Sequence, residues 1–443
     1  MNATLARGLY YSAQALRGEP VARVGRELEK SQLLRAEQLA ALQRMRISVL
    51  LRYAYENVPY YHEKWSKAGF SAGDWEASDA FAALPVLEKR EVQEYAREMR
   101  APRRGGALLA KTSGSAGTPV SVLRSHESWA HAHANEARAM RWHGVDVGER
   151  QAYFWGLALD KKGRREAWLK DWFFNRDRCS AFGLDGPRAQ AFYRRLRRRP
   201  AAFALGYPAA VAEFADELRL IGLDGRALGW RKVFATAEML HEHQRTLIRN
   251  TFGCAVVNLY GCAEAGVLGM ECEHGGMHVP IESVALQWEE RGDDDAAHQV
   301  LVTDLFNRAQ PLVRYRVGDL VERANGGCAC GRPLPLIGAV TGRAGDTLLL
   351  PDGRRINGHL LGYVFKHHAI AGTVRDYQFL QFQDKRVELL IRPGPGFGEH
   401  TAKEIADEVR QVLGFDVGLK LRERLERSGR GKHRDFVRVE DRQ

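Results

Sequence analysis

No run of the 443-residue chain approaches the ~18 consecutive apolar residues that a transmembrane helix requires. The first eight residues lead into no apolar segment of signal length. A membrane-spanning helix is thereby excluded, and a cytoplasmic protein is expected. Cysteine is scarce: Cys179, Cys254, Cys262, Cys272, Cys328 and Cys330 are the whole set, five of them after residue 250. In a reducing compartment such clustering points to metal before disulfide. Wholesale disorder is excluded as well, because hydrophobic residues make up 45% of the chain and charged residues 27%.

The chain does carry an excess of positive charge, +11 from 66 basic and 55 acidic residues. That favours anionic partners such as nucleotides, coenzymes, nucleic acid or a membrane surface. Its densest basic runs, residues 161–165 and 194–199, lack an aromatic platform or a DNA-reading motif, so they read as solvated helix faces and nucleic acid is not the expected partner.

A small-residue loop, Thr112, Ser113, Gly114, Ser115, Ala116, Gly117, Thr118 and Pro119, precedes a β-branched run. Two glycines three apart permit a tight turn, and hydroxyls beside exposed N–H groups suit phosphate oxygens. The spacing is not that of a Walker A loop, and Ser115 lacks the flanking glycines of a nucleophile elbow.

Residues 27–100 repeat apolar positions at helical spacing, interrupted at Pro59 and Pro85, which predicts several short helices. From residue 128 onward helices of ten to fifteen residues alternate with strands at 151–156, 201–208, 231–236 and 255–260, the first two ending in glycine or proline. That alternation predicts parallel pairing in an α/β core. Ligands bind beyond the carboxyl ends of such strands, so Gly156, residues 206–208, 236–238 and 260–264 are expected to converge on one cleft. Glu264, in a glycine-flanked loop, can reach a metal ion, and Tyr260 can offer a flat face to a ring. Asp319 follows Gly318 at the end of an apolar segment and can accept hydrogen bonds from a ribose diol.

Residues 112–119, the segment Asn258, Leu259, Tyr260, Gly261, Cys262, Ala263 and Glu264, the pair of stretches 315–319 and 342–346, and Gly431-Lys432 stand in a fixed order. Together they resemble the adenylate-forming superfamily, and within it the phenylacetate–CoA ligase and CapK-like branch. Residues 57–61, 205–208 and 328–332 support that branch, so the likeness spans nearly the whole chain.

The resemblance implies an α/β enzyme with a large multi-subdomain N-terminal adenylation domain, residues 1–343 with a helical lead-in over 1–100. A small α+β C-terminal lid, residues 344–443, completes it. Such an enzyme activates a carboxylic acid with ATP and Mg²⁺ as an acyl-adenylate and passes the acyl group to an acceptor, coenzyme A above all. Residue by residue, the loop from Thr112 to Thr118 matches the one that holds the ATP phosphates, and Ala237 and Glu238 fall where the family lines the adenine pocket. Tyr260 to Glu264 match the adenine-stacking and magnesium-binding segment, Asp319 the ribose-gripping carboxylate, Arg343 its helper and Asp346 the hinge. Lys432 matches the catalytic lysine delivered by the lid. Ala116 and Ala263 depart from the family's Ser or Thr, which removes two hydrogen bonds of ~0.5–1.5 kcal/mol each and weakens nucleotide binding.

Trp155, Tyr207, Phe234 and Ala235 are candidate walls of the acid pocket, and their aromatic content favours an aromatic or hydrophobic acid. Cys272, His278, Cys328 and Cys330 would make a closed Cys₃His set of structural-zinc type, with His274 an alternative to His278. The resemblance supports this set, since some members of that branch carry the same cysteine and histidine pairs. Cys179 and Cys254 read as core residues. Residues 347–356 read as a hairpin, followed by a helix near 360–368, strands at 377–383 and 386–391, a helix over 402–413 and a strand near Leu419. Three rivals stand beside this reading: an adenylating ligase that hands the acyl group to an amine or carrier protein, a zinc-braced nucleic-acid-binding protein, and a non-catalytic scaffold. The chain is compatible with a homodimer.

Overall fold

The structure is a computed structural model that describes residues 1–71, 73, 80–102, 106–111, 120–156, 161–181, 184–289, 297–324, 326–344, 347–350, 355–357, 361, 364–365, 368, 372–427 and 432–439. The small-residue loop 112–119, Asp346 and Gly431 lie outside these. Among the described residues no helix is long and apolar enough to cross a membrane.

The large element is an 11-stranded mixed sheet. Its parallel half sets Ala255–Cys262, Lys232–Thr236, Phe203–Gly206, Gln151–Trp155 and Arg176–Ser180 side by side in that order. Each crossover carries a helix: Lys161–Phe173, Gly186–Arg198, Pro208–Leu220 or Glu242–Phe252. Four of the five strands are those that the sequence alternation predicts; Arg176–Ser180 has no counterpart in it. The chain first steps outward from Gln151–Trp155 to Arg176–Ser180 and then back to its other side, which makes a topological switch point between Gln151–Trp155 and Phe203–Gly206. Gly206 sits there at φ +153°, where an added Cβ would fall 2.0 Å from the Phe154 carbonyl oxygen, so only glycine lets Tyr207 turn up beside Trp155.

The other half is antiparallel, which the alternation did not foretell. Gly266–Glu271 folds straight back on Ala255–Cys262, and Met277–His278, Leu336–Arg343, Tyr315–Arg323, Ala297–Asp304 and Val284–Glu289 follow across the sheet. Only residues 263–265 separate the first pair, too few for the crossover that parallel pairing needs.

Strand alternation divides the core in two. Ala152, Phe154, Val233 and Ala235 pack on one face of the sheet, with Cys179 and Cys254; Tyr153 and Phe234 pack on the other with Leu259 and Leu268. The helices Ala36–Asn57 and Pro59–Lys67 form a third cluster against Leu305, Leu312 and Tyr315. Val58 between them is extended, as a residue before proline must be, and Pro59 starts the second helix where its missing N–H does no harm.

The helix Val21–Ser31 is clamped to this body by a buried ion pair. Arg138 Nη1 donates to Glu282 Oε1 at 2.7 Å with both side chains fully buried, and Glu282 also accepts from Ser31 Oγ at 2.8 Å. Removing one partner strands a charge in apolar surroundings. Arg138→Ala is therefore expected to cost about 3–5 kcal/mol in denaturant unfolding, and Arg138→Met with Glu282→Leu much less. A cost below ~1 kcal/mol for the single change would mean that water reaches Glu282.

A separate four-stranded sheet, Gly418–Leu421, Val387–Pro393, Val374–Gln381 and Phe436–Arg438, carries the helix Glu399–Leu413 and has its own core around Phe379, Ile391 and Ile405. The hairpin Thr347–Leu349 with Arg355–Asn357 pairs as expected, though its turn lies outside the described residues. The strand Phe436–Arg438, parallel to Val374–Gln381, has no counterpart in the sequence reading.

Candidate functional site

The carboxyl ends of the parallel strands open on a cavity of about 550 Å³. Its wall includes Trp155, Tyr207, Thr236, Ala237 and Tyr260, the turn Gly261 to Glu264, Arg343, and Lys432 from the small sheet's side. Strand ends more than 100 residues apart in sequence thus converge, as the α/β geometry requires.

Two carboxylates stand at the polar end of this cavity, Glu264 in its wall and Asp319 behind the wall residues Tyr260 and Arg343. Asp319 Oδ2 accepts the Tyr260 hydroxyl at 3.0 Å, and Asp319 Oδ1 faces Arg343 Nε at 3.3 Å. Burial raises the Asp319 carboxyl above its usual range, opposed by Arg343, Tyr260 and Lys432. Glu264 Oε1 accepts the Tyr315 hydroxyl at 3.3 Å, and burial raises its carboxyl too. A carboxylate so buried and so lightly paired suits a cation, whose approach would favour the charged form. Lys432 Nζ donates to the Ala237 carbonyl at 2.8 Å and stands 5.7 Å from the centre of the Tyr207 ring. Ala237 holds φ +69°, a conformation costing on the order of 1–3 kcal/mol that points its carbonyl at this lysine.

Not every expected residue lies on the wall. Phe234 and Ala235 do not: both are fully buried within the strand Lys232–Thr236, one in each core, and Thr236 and Ala237 beyond them reach the cavity instead. They are corrected from pocket walls to core residues. Asn258 sits two residues short of Tyr260, its backbone N–H bound by the Glu271 carboxylate, and is likewise not part of the wall. Glu238 turns away and accepts the His433 N–H at 2.9 Å.

Arg124 is the residue that the sequence reading missed. Fully buried, it bonds Ser128 Oγ through Nε at 3.0 Å and the Ala263 carbonyl through Nη1 at 3.3 Å, lies 3.7 Å from Asp304 and stacks 4.5 Å over Trp129. Its only local signal was Ser128 four residues on. Tyr315 stood inside a recognised motif without being assigned a role, and Lys89 and Lys111 complete the cationic lining.

Next to Lys432 the small sheet docks through charge. His433 Nε2 lies 3.1 Å from Asp376 Oδ1 and 3.2 Å from Asp435 Oδ1, and Asp435 Oδ2 lies 3.3 Å from His241 Nε2, at the start of the helix Glu242–Phe252. Despite burial, Asp376, Asp435 and Glu238 hold the His433 imidazole up to about 9, and His241 and His433 hold Asp435 far below the usual carboxylate range. Free imidazole releases its proton near 6.5. The contribution of His433 is therefore complete below pH 6.5 and is lost as pH rises through about 9. The thermal midpoint is expected to fall between pH 7 and 9.5, and to fall less in His433→Gln; equal slopes would remove His433 from the contact.

Away from the cavity, Cys272, His278, Cys328 and Cys330 come together with one ligand atom from each, all within 4.8 Å of one another. Cys272 Sγ and Cys328 Sγ are 3.4 Å apart, and Cys330 Sγ lies 3.2 Å from His278 Nε2. The sulfurs are free thiols at more than a disulfide length. Tetrahedral zinc with bonds of ~2.0–2.3 Å requires ligand separations of this order. His278 Nδ1 meets the Leu334 carbonyl at 2.9 Å, which leaves Nε2 for a metal. The set is the one expected with His278; His274 is not part of it.

No protein-family profile matches the chain. Curated relatives do. Phenylacetate-coenzyme A ligase of Pseudomonas putida is 26% identical over 329 residues, covering 70% of this chain and 71% of the relative. That of Aromatoleum evansii is 24% identical over 420 residues, 88% and 92% of the two chains. The protein CapK of Staphylococcus aureus is 21% identical over 301 residues, 67% of this chain and 66% of CapK. Among solved structures, 2-hydroxyisobutyryl-CoA ligase in its postadenylation state with an acyl-AMP superposes with a TM-score of 0.74 at 18% identity, covering 92% and 91%. Along most of its length the chain is thus similar in sequence to phenylacetate–coenzyme A ligases and to CapK, and in fold to 2-hydroxyisobutyryl-CoA ligase.

Proposed function

We propose that the protein is an AMP-forming acid–CoA ligase that activates an organic acid with ATP in the cavity at the strand ends and transfers the acyl group to coenzyme A. The observation that carries this is the meeting of Lys432 with Tyr260, Glu264 and Arg343 around one cavity that also has an aromatic wall.

The chemistry follows from charge. A carboxylate that attacks the α-phosphorus of ATP brings two anions together, so the barrier is lowered most by cations held at the reacting oxygens. Lys432, Arg343 and Arg124 supply fixed positive charge around the cavity, and the Ala237 carbonyl orients the lysine. Asp319, steadied by Tyr260 and Arg343, presents acceptors for the ribose hydroxyls. Glu264, with its weakly held carboxylate, would hold Mg²⁺, which supplies charge neutralisation at the phosphates. The backbone carbonyl of Ala263 accepts from Arg124 and holds that guanidinium beside the turn.

Trp155 and Tyr207, with ring centroids 4.3 Å apart, form the wall for the acid. The four-stranded sheet and its helix, together with the chain from about residue 344, form a lid that carries Lys432. The Cys₃His cluster holds structural zinc and braces the turn bearing Glu264, because Cys272 directly follows the strand Gly266–Glu271.

The test is ATP–pyrophosphate exchange across a panel of carboxylic acids, followed by product analysis with and without coenzyme A. Exchange that depends on one class of acid, and a thioester formed only with coenzyme A, are expected. Absence of exchange with every acid would overturn the assignment. Exchange without thioester would move the acceptor to an amine or a carrier thiol.

A further inference from the structure

Beyond Trp155 the cavity changes character. Its inner wall is built by the helix His126–Trp142, the helix Ala3–Leu16 and the strand Arg176–Ser180. Glu136, on the first of these, makes no hydrogen bond to any described residue although it stands in the cavity wall. Burial raises its carboxyl, and Arg176 opposes the rise. Arg176 is stacked 4.3 Å over both the Tyr153 and the Phe174 rings, and its buried Nε has no hydrogen-bond partner. Gln151, also on the wall, keeps a buried Oε1 without a partner. Tyr153 and Trp155 stack nearly parallel, 5.4 Å apart at 6°, and lead from these polar groups back to Tyr207.

The Gln151 oxygen, buried without a donor, loses its hydrogen bonds to water, and the described residues supply no donor to it or to the half-buried Glu136 carboxylate on the cavity wall. A ligand group that donates would. The parallel rings of Tyr153 and Trp155 in between offer a flat face that suits a ring. We propose that this inner end recognises the part of the acid remote from its reacting carboxyl, and that it takes an aryl acid whose ring bears a hydrogen-bond-donating hydroxyl or amino group seated on Glu136. The proposal rests on the adenylation reading and names its substrate class. Glu136 is a specificity residue in it, remote from the bond being made. A hydroxyl would in addition accept from Arg176, whereas an amino group would donate to both Glu136 and Gln151.

The test compares benzoic and phenylacetic acids carrying a hydroxyl, amino or methyl group at the 3 or 4 position. It uses pyrophosphate exchange and, independently, direct binding read from quenching of tryptophan fluorescence. A site built on hydrogen bonds rejects an analogue lacking the donor strongly, so the best hydroxyl or amino acid should exceed its methyl counterpart by at least ~100-fold. Glu136→Leu should reverse that order by raising the methyl acid and lowering the donor acid, and Glu136→Gln should keep part of the preference. A wild-type ratio near one in both readouts overturns the proposal, as does a Glu136→Leu ratio equal to wild type. Should the leucine variant fail to fold, the wild-type and glutamine ratios decide. Donor-selective binding without any exchange would sink the adenylation reading while leaving the pocket assignment standing. Hydroxyl-over-amino preference assigns Arg176 a share in recognition, and the reverse assigns it to Gln151.

Discussion

Lys432→Ala is expected to lower acyl-adenylate formation by about 10²- to 10³-fold while ATP affinity changes little. On the proposed reading the ammonium group would meet negative charge that develops only partway through the displacement, so its loss should appear in the rate and hardly in ground-state binding. The structure adds a reason to expect the full effect. Lys432 Nζ is held by the Ala237 carbonyl at 2.8 Å over the Tyr207 ring, and the adjoining His433 is locked to Glu238 through its backbone N–H. An amine so positioned loses little entropy when substrate arrives. Lys432→Arg should recover only a fraction, since the planar guanidinium cannot make the same contact with Ala237. Undiminished pyrophosphate exchange in Lys432→Ala would take this residue out of the reaction, and a parallel loss of ATP affinity would make it a ground-state binding group.

The second large effect is expected from the metal cluster. The purified protein should contain one equivalent of zinc, and Cys328→Ser with Cys330→Ser should reduce it to less than a tenth. Structural zinc contributes on the order of 10–16 kcal/mol to isolated finger peptides. Here the surrounding strands have cores of their own, so only part of that should appear, as a fall of ~5–10 °C in thermal midpoint. Pyrophosphate exchange should fall with it, because the cluster ties residues 272–278 to 328–330 beside the strand that follows Glu264. Zinc content near zero in the wild-type protein, by atomic absorption, would reduce the cluster to four adjacent side chains.

Much of this was legible in local pattern. The strands Gln151–Trp155, Lys232–Thr236 and Ala255–Cys262 announce themselves by apolar runs that stop at a small or polar residue, and the helices between them by period and length. The metal-type set was legible for a different reason: thiols and imidazoles are rare, so two short clusters of them carry information that a leucine does not. Phe234 and Ala235 were misplaced because a strand's sequence reveals its alternation but not the residue at which it leaves the sheet; that depends on the length of its neighbours. Arg124 went unseen because an arginine after a β-branched run looks like any solvated residue. Its burial depends on Asp304, 180 positions away, and on the Ala263 carbonyl.

What the amino-acid sequence determined by itself was the kind of scaffold and a list of candidate groups for binding an anion. Both follow from rules that act within a few residues: periodicity, glycine placement and the chemistry of individual side chains. What the tertiary structure alone decided was which groups share a volume. Lys432 and Ala237 are 195 positions apart yet 2.8 Å from each other. Glu136 and Arg176 face one cavity from a helix and a strand that no local rule relates. The order of strands in a sheet arises from packing among distant segments, and electrostatic energy depends on separation in space, so a charge acquires its role only when the chain has closed around it.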